Sequence, residues 1–414
     1  MASVELERPS SEAVHQTEVD GGGGGGGRGS KGIMKKTKKA PWKLGFACLR
    51  TEYDREGNFD MEVVDVDGAG VRRTPPTHLV VMVNGLIGSA QNWKYAAKQF
   101  LKKYPDDVIA HCSECNPSML TFDGVDVMGE RLAEEVISVI KRHPGVQKIS
   151  FIGHSLGGLV ARYAIAKLYG RDIMRDFSQG NGEFRTNGSG DLCVEEKFHG
   201  KIAGLEPVNF ITSATPHLGS RGHKQVPVFC GFYTLEKLAS RTSWFLGRTG
   251  KHLFLTDNDN GKPPLLLRMA NDCEDLKFMS ALQSFKRRVA YANVQFDHLV
   301  GWSTSSLRRR DELPKRRDLS RNEKFPHIVS VKTAETSSTQ HEVPLEAKVN
   351  GHKNIDLEEE MIRGLTKVSW ERVDVSFSGS TQRYLAHTTI QVKSYCFNSD
   401  GADVVQHMID NFVL

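Results

Sequence analysis

No stretch of this chain approaches the ~20 consecutive apolar residues that a membrane-spanning helix needs. The N-terminus lacks the charged-then-apolar order of a secretory leader. It carries Glu5, Glu7, Glu12 and Glu18, which also argues against an acid-poor organelle transit peptide. Cysteine is sparse: 7 in 414 residues, an odd number without framework spacing, which points to reduced thiols in an intracellular compartment. His111, Cys112 and Cys115 lack the second, well-spaced pair that a zinc site requires, so a loop after a strand is the simpler reading. Charge of one sign is also missing, since 55 Lys and Arg against 50 Asp and Glu leave a net +5. The basic runs Arg308-Arg309-Arg310 and Lys315-Arg316-Arg317 carry no interleaved aromatics, which speaks against nucleic acid as a partner. What remains is the composition of a cytoplasmic globular protein.

The length suits one large domain with decorations. Residues 1–40 hold the polyglycine run Gly21–Gly27 and a lysine cluster, and should form a disordered tail. A solvated tail is the plain reading of that cluster; attraction to an anionic membrane surface is the functional one. From residue 41 to 414, strand and helix patterns alternate. Strands are expected at 78–83, 108–110, 149–152, 208–214, 289–294 and 373–377, with helices at 93–104 and around 132–140, and a last helix carrying Val404, Val405, Met408 and Ile409. Such alternation predicts an α/β fold, a mostly parallel central sheet flanked by helices. Two insertions interrupt it. Residues of about 220–285 are rich in large apolar side chains, from Val226 and Phe229 to Trp244, Phe245 and Leu246, and read as a packed helical cap, an acyl-binding wall, or both. Residues of about 306–360 are polar and read as a mobile surface insertion.

The chemistry is concentrated in Gly153-His154-Ser155-Leu156-Gly157-Gly158. An apolar strand pattern precedes it and a small-residue helical pattern follows. Strand, Gly-x-Ser-x-Gly, then helix is the context of a nucleophile elbow, with Ser155 at the tight turn. A serine hydroxyl needs a base and a carboxylate that orients the base, and on this fold the order is Ser, acid, His. Asp297 follows the 289–294 strand and is the preferred acid, with Asp257 as its rival. His387 lies between the last strand and the terminal helix and is the preferred base. His327, His341 and His352 fall in or beside the polar insertion, and His407 reads as a surface residue of the last helix. The backbone N–H groups of Leu156 and of Leu86, the latter in Asn84-Gly85-Leu86-Ile87-Gly88 after the first core strand, would form the oxyanion hole. His217 reads as structural.

The elbow through Arg162, the segment Thr212-Ser213-Ala214-Thr215-Pro216-His217-Leu218-Gly219, the segment Tyr291-Ala292-Asn293 with Asp297, and Ala386-His387 resemble, in that order, the lipase-like α/β-hydrolases known as serine esterases of unknown function. Plants and fungi carry this family, and a yeast lipid-droplet phospholipase is related to it. The likeness runs from about Trp42 to the C-terminus, apart from 306–360. One departure is Asn84-Gly85, where the family usually has His-Gly. The resemblance implies a serine esterase or lipase of lipid metabolism, cleaving carboxylic esters of lipids through an acyl-enzyme on Ser155, with no metal or organic cofactor and with a lipid or other acyl ester as substrate. A lipid acyltransferase and a catalytically silent lipid-binding scaffold are the alternatives.

Overall fold

The apolar runs become the inner strands of one sheet. In this computed structural model, residues 48–53 and 59–64 are described by their backbone, and 75–171, 200–220, 246–258, 261–333 and 357–414 with their side chains. The strands are β1 (Cys48–Tyr53), β2 (Phe59–Val64), β3 (His78–Val83), β4 (Val108–Cys112), β5 (Lys148–His154), β6 (Glu206–Ser213), β7 (Arg287–Asn293), β8 (Ile328–Lys332) and β9 (Glu371–Val375). They run in the order β1-β2-β4-β3-β5-β6-β7-β9-β8. The central run from β4 to β9 is parallel; β1, β2 and β8 are antiparallel additions at the two edges.

Helices of nine residues or more among the described residues are α1 (Lys94–Lys103), α2 (Val125–Arg142), α3 (Leu156–Leu168), α4 (Leu357–Leu365) and α5 (Ala402–Asp410). They cover both faces, which explains why β3 is apolar at nearly every position. Leu79, Val81 and Val83 join α2 and α3 in one core cluster, while Val80 and Met82 join α1 and α5 in the other. Successive strand side chains point to opposite faces, so a strand buried on both sides cannot alternate with polar residues. β3 lies between β4 and β5, and the chain leaves it in one direction and returns on its other side. The loops at the carboxyl ends of such strands diverge and open a crevice. Together these features are the α/β-hydrolase arrangement expected from the sequence.

The tail 1–40 lies outside the described residues, as does 221–245, which holds most of the apolar side chains of the 220–285 segment. The described part of that segment packs beside α2 and α3: Leu265, Leu266, Met269, Phe278, Leu282 and Phe285 are core residues there. The 306–360 segment is not wholly a polar surface insertion. Its first part is structural, with β8 paired to β9 and Arg308 buried against Asp374 at 2.7 Å; residues 334–356 lie outside the described residues. Arg308 carries charge inward because Asp374, also accepting from the Trp302 indole at 2.7 Å, supplies its partner. His407 is a second correction. It is buried, and its Nδ1 pairs with the Tyr291 hydroxyl at 2.8 Å, so the terminal helix uses it to close the sheet face.

Candidate active site

Ser155 stands between β5 and α3, at the N-cap of the helix, with φ 54° and ψ −127°. For a residue with a Cβ this backbone is strained, and tight surroundings hold it in place. The Ser155 N–H donates to the Ser213 carbonyl at the end of β6 (2.8 Å). Glycine at 157 is required by close approach: a Cβ there would lie 2.3 Å from the Val83 carbonyl oxygen. β3 and the first turn of α3 can therefore touch only through backbone.

The Ser155 hydroxyl oxygen lies 3.0 Å from His387 Nε2, and His387 Nδ1 lies 2.9 Å from Asp297 Oδ2. Asp297 sits four residues beyond β7; His387 sits on the helical turn Ala386–Thr389. The carboxylate can only accept, so Nδ1 carries the ring proton and Nε2 offers its lone pair to the serine hydroxyl. Asp297 is buried, and both its oxygens are occupied. Oδ2 also accepts from the Asn293 amide (2.9 Å), and Oδ1 accepts from the N–H groups of Leu299 and Val300 (2.9 Å each). Burial pushes the Asp297 carboxyl up, but the His387 imidazole and these donors together hold it below the usual carboxylate range. The group is therefore a fixed negative charge behind the imidazole.

Leu156 follows Ser155 as the first residue of α3, and Leu86 follows Gly85 in the loop after β3. Gly85 packs directly on the elbow, where a Cβ would meet Ser155 Cβ at 2.8 Å. The loop is closed by the Gly88 N–H on the Gly85 carbonyl (3.0 Å) and tied outward by the Ile87 N–H on Thr121 Oγ1 (3.0 Å). The side chain of Asn84, the residue that departs from the family's His, donates to the Asn116 carbonyl at 3.2 Å, so this loop has its own support. Neither the Leu86 nor the Leu156 N–H has a hydrogen-bond acceptor among the described residues. An N–H without an acceptor in the loop packed on the elbow, and another at the helix N-terminus just after Ser155, are the kind of donors that can receive a developing oxyanion.

Sequence reasoning missed three supports. His154 donates from Nε2 to the His387 carbonyl (2.7 Å), with the two rings 4.7 Å apart. Burial first, then the neighbouring His387, keeps the His154 imidazole neutral, its proton affinity well below the ordinary value. Asn293 steers Asp297, and Arg308 with Asp374 anchors the stretch that follows the acid loop. The sequence carries no signal for His154 beyond its place in the elbow.

The remaining candidates lie elsewhere. Asp257 accepts from the Leu265 N–H and stands 3.7 Å from His252. His327 pairs with Asp403 at 2.9 Å. His217 is buried against Thr212 at 3.0 Å, with the Arg162 guanidinium reaching its carbonyl at 3.4 Å. Cys112 is buried at the end of β4, and the neighbouring His111 stands 3.3 Å from Glu135. Glu135 also accepts from Ser113 (2.6 Å) and the Glu114 N–H (2.7 Å). His341 and His352 lie outside the described residues.

Residues 73–307 match a family described as "Putative serine esterase (DUF676)". Two curated proteins of Saccharomyces cerevisiae are similar. "Putative lipase ROG1" is 31% identical over 56% of this chain and 28% of its own length. "Putative lipase YDL109C" is 27% identical over 56% of this chain and 30% of its own. The chain thus spans less than a third of the relatives it matches. Among solved structures, a lipase of Bacillus licheniformis, BlEst2 in mature form, is 15% identical over 55% of this chain and 69% of its own, with a TM-score of 0.28.

Proposed function

The chain belongs to the serine esterase family whose profile it matches over residues 73–307, and from that membership we propose that it is a serine hydrolase cleaving carboxylic esters of lipids. The observation that carries this reading is the continuous chain from the Ser155 hydroxyl through His387 to Asp297, with links of 3.0 and 2.9 Å. The lipid substrate class is supported by the name "Putative lipase" that both yeast relatives carry.

The reaction follows from the site. As Ser155 Oγ attacks the ester carbonyl carbon, its proton passes to His387 Nε2, and the carbonyl oxygen takes the electron pair. That oxygen is met by the Leu86 and Leu156 N–H groups. Asp297 stabilises the imidazolium without accepting its proton. Collapse of the tetrahedral species breaks the bond to the alcohol, which leaves with the proton from Nε2, and Ser155 keeps the acyl group. Water repeats the sequence, His387 taking its proton and returning it to Ser155 Oγ as the fatty acid departs. No step calls for a cofactor. Water as the acceptor is the working choice; an alcohol in its place gives acyl transfer.

The test pairs turnover with labelling. Wild-type protein is expected to hydrolyse p-nitrophenyl butyrate and to take up a fluorophosphonate at position 155, and Ser155→Ala to do neither while keeping its melting curve. Undiminished turnover in Ser155→Ala refutes the assignment. Products that shift wholly to a new ester when a competing alcohol is added assign the protein as an acyltransferase.

A further inference from the structure

Ten large apolar side chains stand exposed among the described residues, and seven of them lie on segments linked to the loops that carry Leu86 and His387. Val331 on the edge strand β8 and the terminal Val413 and Leu414 are scattered elsewhere. The other seven belong to four short segments that adjoin the oxyanion loop or the turn carrying His387, in the chain or through hydrogen bonds.

Ile87, 57% exposed, follows Leu86 directly. Met119 (68%) and Leu120 ride on the turn Ser118–Phe122, which is bound to the same loop by Ile87 N–H on Thr121 Oγ1 and by Ser118 N–H on the Gly88 carbonyl (2.9 Å). On the side of the base, Tyr384 and Leu385 come immediately before the turn that carries His387. Tyr395 and Phe397, the latter 69% exposed, sit on the turn Tyr395–Asn398, which Asn398 ties to the His387 turn through Thr388 and Thr389 (3.1 and 3.0 Å). The Tyr395 ring stacks on Tyr95 of α1 at 5.1 Å, and Gln391 donates to the Asn92 carbonyl, which joins this side back to the oxyanion loop. The result is a collar around the nucleophile.

The charge beside the base and oxyanion loops is basic, although the turn that carries Met119 and Leu120 is followed by Asp123, which pairs with Arg131 at 2.7 Å. Residues 84–95 and 378–398 contain no Asp or Glu, but they contain Lys94, Arg383 and Lys393. Lys94 and Lys393 are exposed, and the Arg383 guanidinium lies 4.7 Å from the Tyr384 ring centre. Protruding apolar and aromatic groups with cations beside them suit an interface whose inner layer is hydrocarbon and whose outer layer is negative. A groove for a peptide would bury these side chains in a concave site; here they project.

We propose that this collar is the face by which the protein adsorbs to a lipid surface bearing anionic headgroups, bringing the Ser155 mouth against the acyl layer. The proposal rests on the reading of the site as a lipid esterase, and it extends that reading to how substrate is presented.

The test uses the full chain carrying Ser155→Ala, so that no lipid is consumed, sedimented with vesicles of phosphatidylcholine alone or mixed with phosphatidylserine. Binding is expected on the mixed vesicles, weakening with salt. Adding Met119→Asp with Phe397→Asp is expected to lower that binding at least ~10-fold, whereas Val331→Asp, on the far edge strand, leaves it unchanged. Melting curves verify that each variant is folded. If the collar variants bind as strongly as their parent, the lysine cluster of residues 31–43 is sufficient and the proposal fails. It also fails if no vesicle is bound and the collar variants instead dissociate a self-associated species in sedimentation velocity, because the face is then a contact between copies. Failure of the esterase reading is separate: it shows as wild-type protein that binds vesicles but hydrolyses no ester.

Discussion

Replacing His154 with Phe tests whether the base is held from behind. His154 is 4% exposed and neutral, so the change removes neither surface nor charge, and a six-membered ring fills the site. What is lost is one donor, the Nε2–H that meets the His387 carbonyl at 2.7 Å. A partly buried carbonyl stripped of its donor costs about 1–3 kcal/mol. If that falls on the seat of the turn Ala386–Thr389, the productive placement of the imidazole becomes less populated by the same free energy, and kcat drops about 5- to 150-fold. KM for a soluble ester should hold, because no group that touches substrate has changed. The position of the acid limb of the kcat/KM profile should also hold, since no ionised group is removed. His154→Gln restores an N–H of similar reach and is expected to recover most of the loss. The assay is initial-rate hydrolysis of p-nitrophenyl butyrate from pH 5 to 9 for the three proteins. Equal kcat in wild type and His154→Phe, or equal loss in the Phe and Gln variants, refutes the argument.

Three other outcomes follow from single contacts. Gly85→Ala sets a Cβ 2.8 Å from that of Ser155 and must push the Leu86 N–H off the oxyanion position; kcat is expected to fall about 10²- to 10³-fold with the melting temperature little changed, and an active variant argues for another donor. Arg308→Ala leaves the buried Asp374 with the Trp302 indole but without its ion-pair partner, at about 3–5 kcal/mol, measured by urea unfolding, whereas the double change Arg308→Met with Asp374→Leu should recover most of that stability. Acid should destabilise the fold early. Burial, and then Lys148, lower His78 from 6.5 to about 4, so between those values the unfolded chain takes up a proton that the folded chain refuses. Stability from this group is complete above pH 6.5 and falls by about 3 kcal/mol as pH drops to 4; His154 and His217, also lowered by burial, act in the same direction, and a melting temperature flat from pH 7 to 5 contradicts this.

The legible part of the fold was the part where one physical rule dominates. β3 and β5 are buried on both faces, so hydrophobicity alone writes them, and each was expected within a few residues of its observed span. β8 was hidden because it is an edge strand whose last residues are exposed, and its polar neighbours resemble a loop. Arg308 reads as one member of a basic run, although it is 2% exposed. Its true role depends on Asp374, 66 positions further on, and no local pattern joins the two. His407 was misplaced for the same reason: a histidine in an amphipathic helix looks superficial until Tyr291 is found opposite its ring.

The site separates along the same line. Ser155 announces itself because an elbow needs glycine at fixed offsets in one short stretch; order along the chain then narrows the acid and the base. Nothing local distinguishes a working triad from three separated side chains. What brings them within 3.0 Å is a set of tethers between distant segments: Ser213 to Ser155, Asn293 to Asp297, and His154 to the backbone of His387. Two of these tethers hold a triad residue through its backbone, at Ser155 N–H and at the His387 carbonyl, so they constrain where a main chain lies more than what a side chain is. This is why the positioning residues leave a weaker mark in the sequence than the residues they position. It also implies an asymmetry open to measurement: substitutions at Ser155 and His387 should remove activity and spare stability, whereas those at Asn293 and His154 should reduce activity in proportion to the geometry they release.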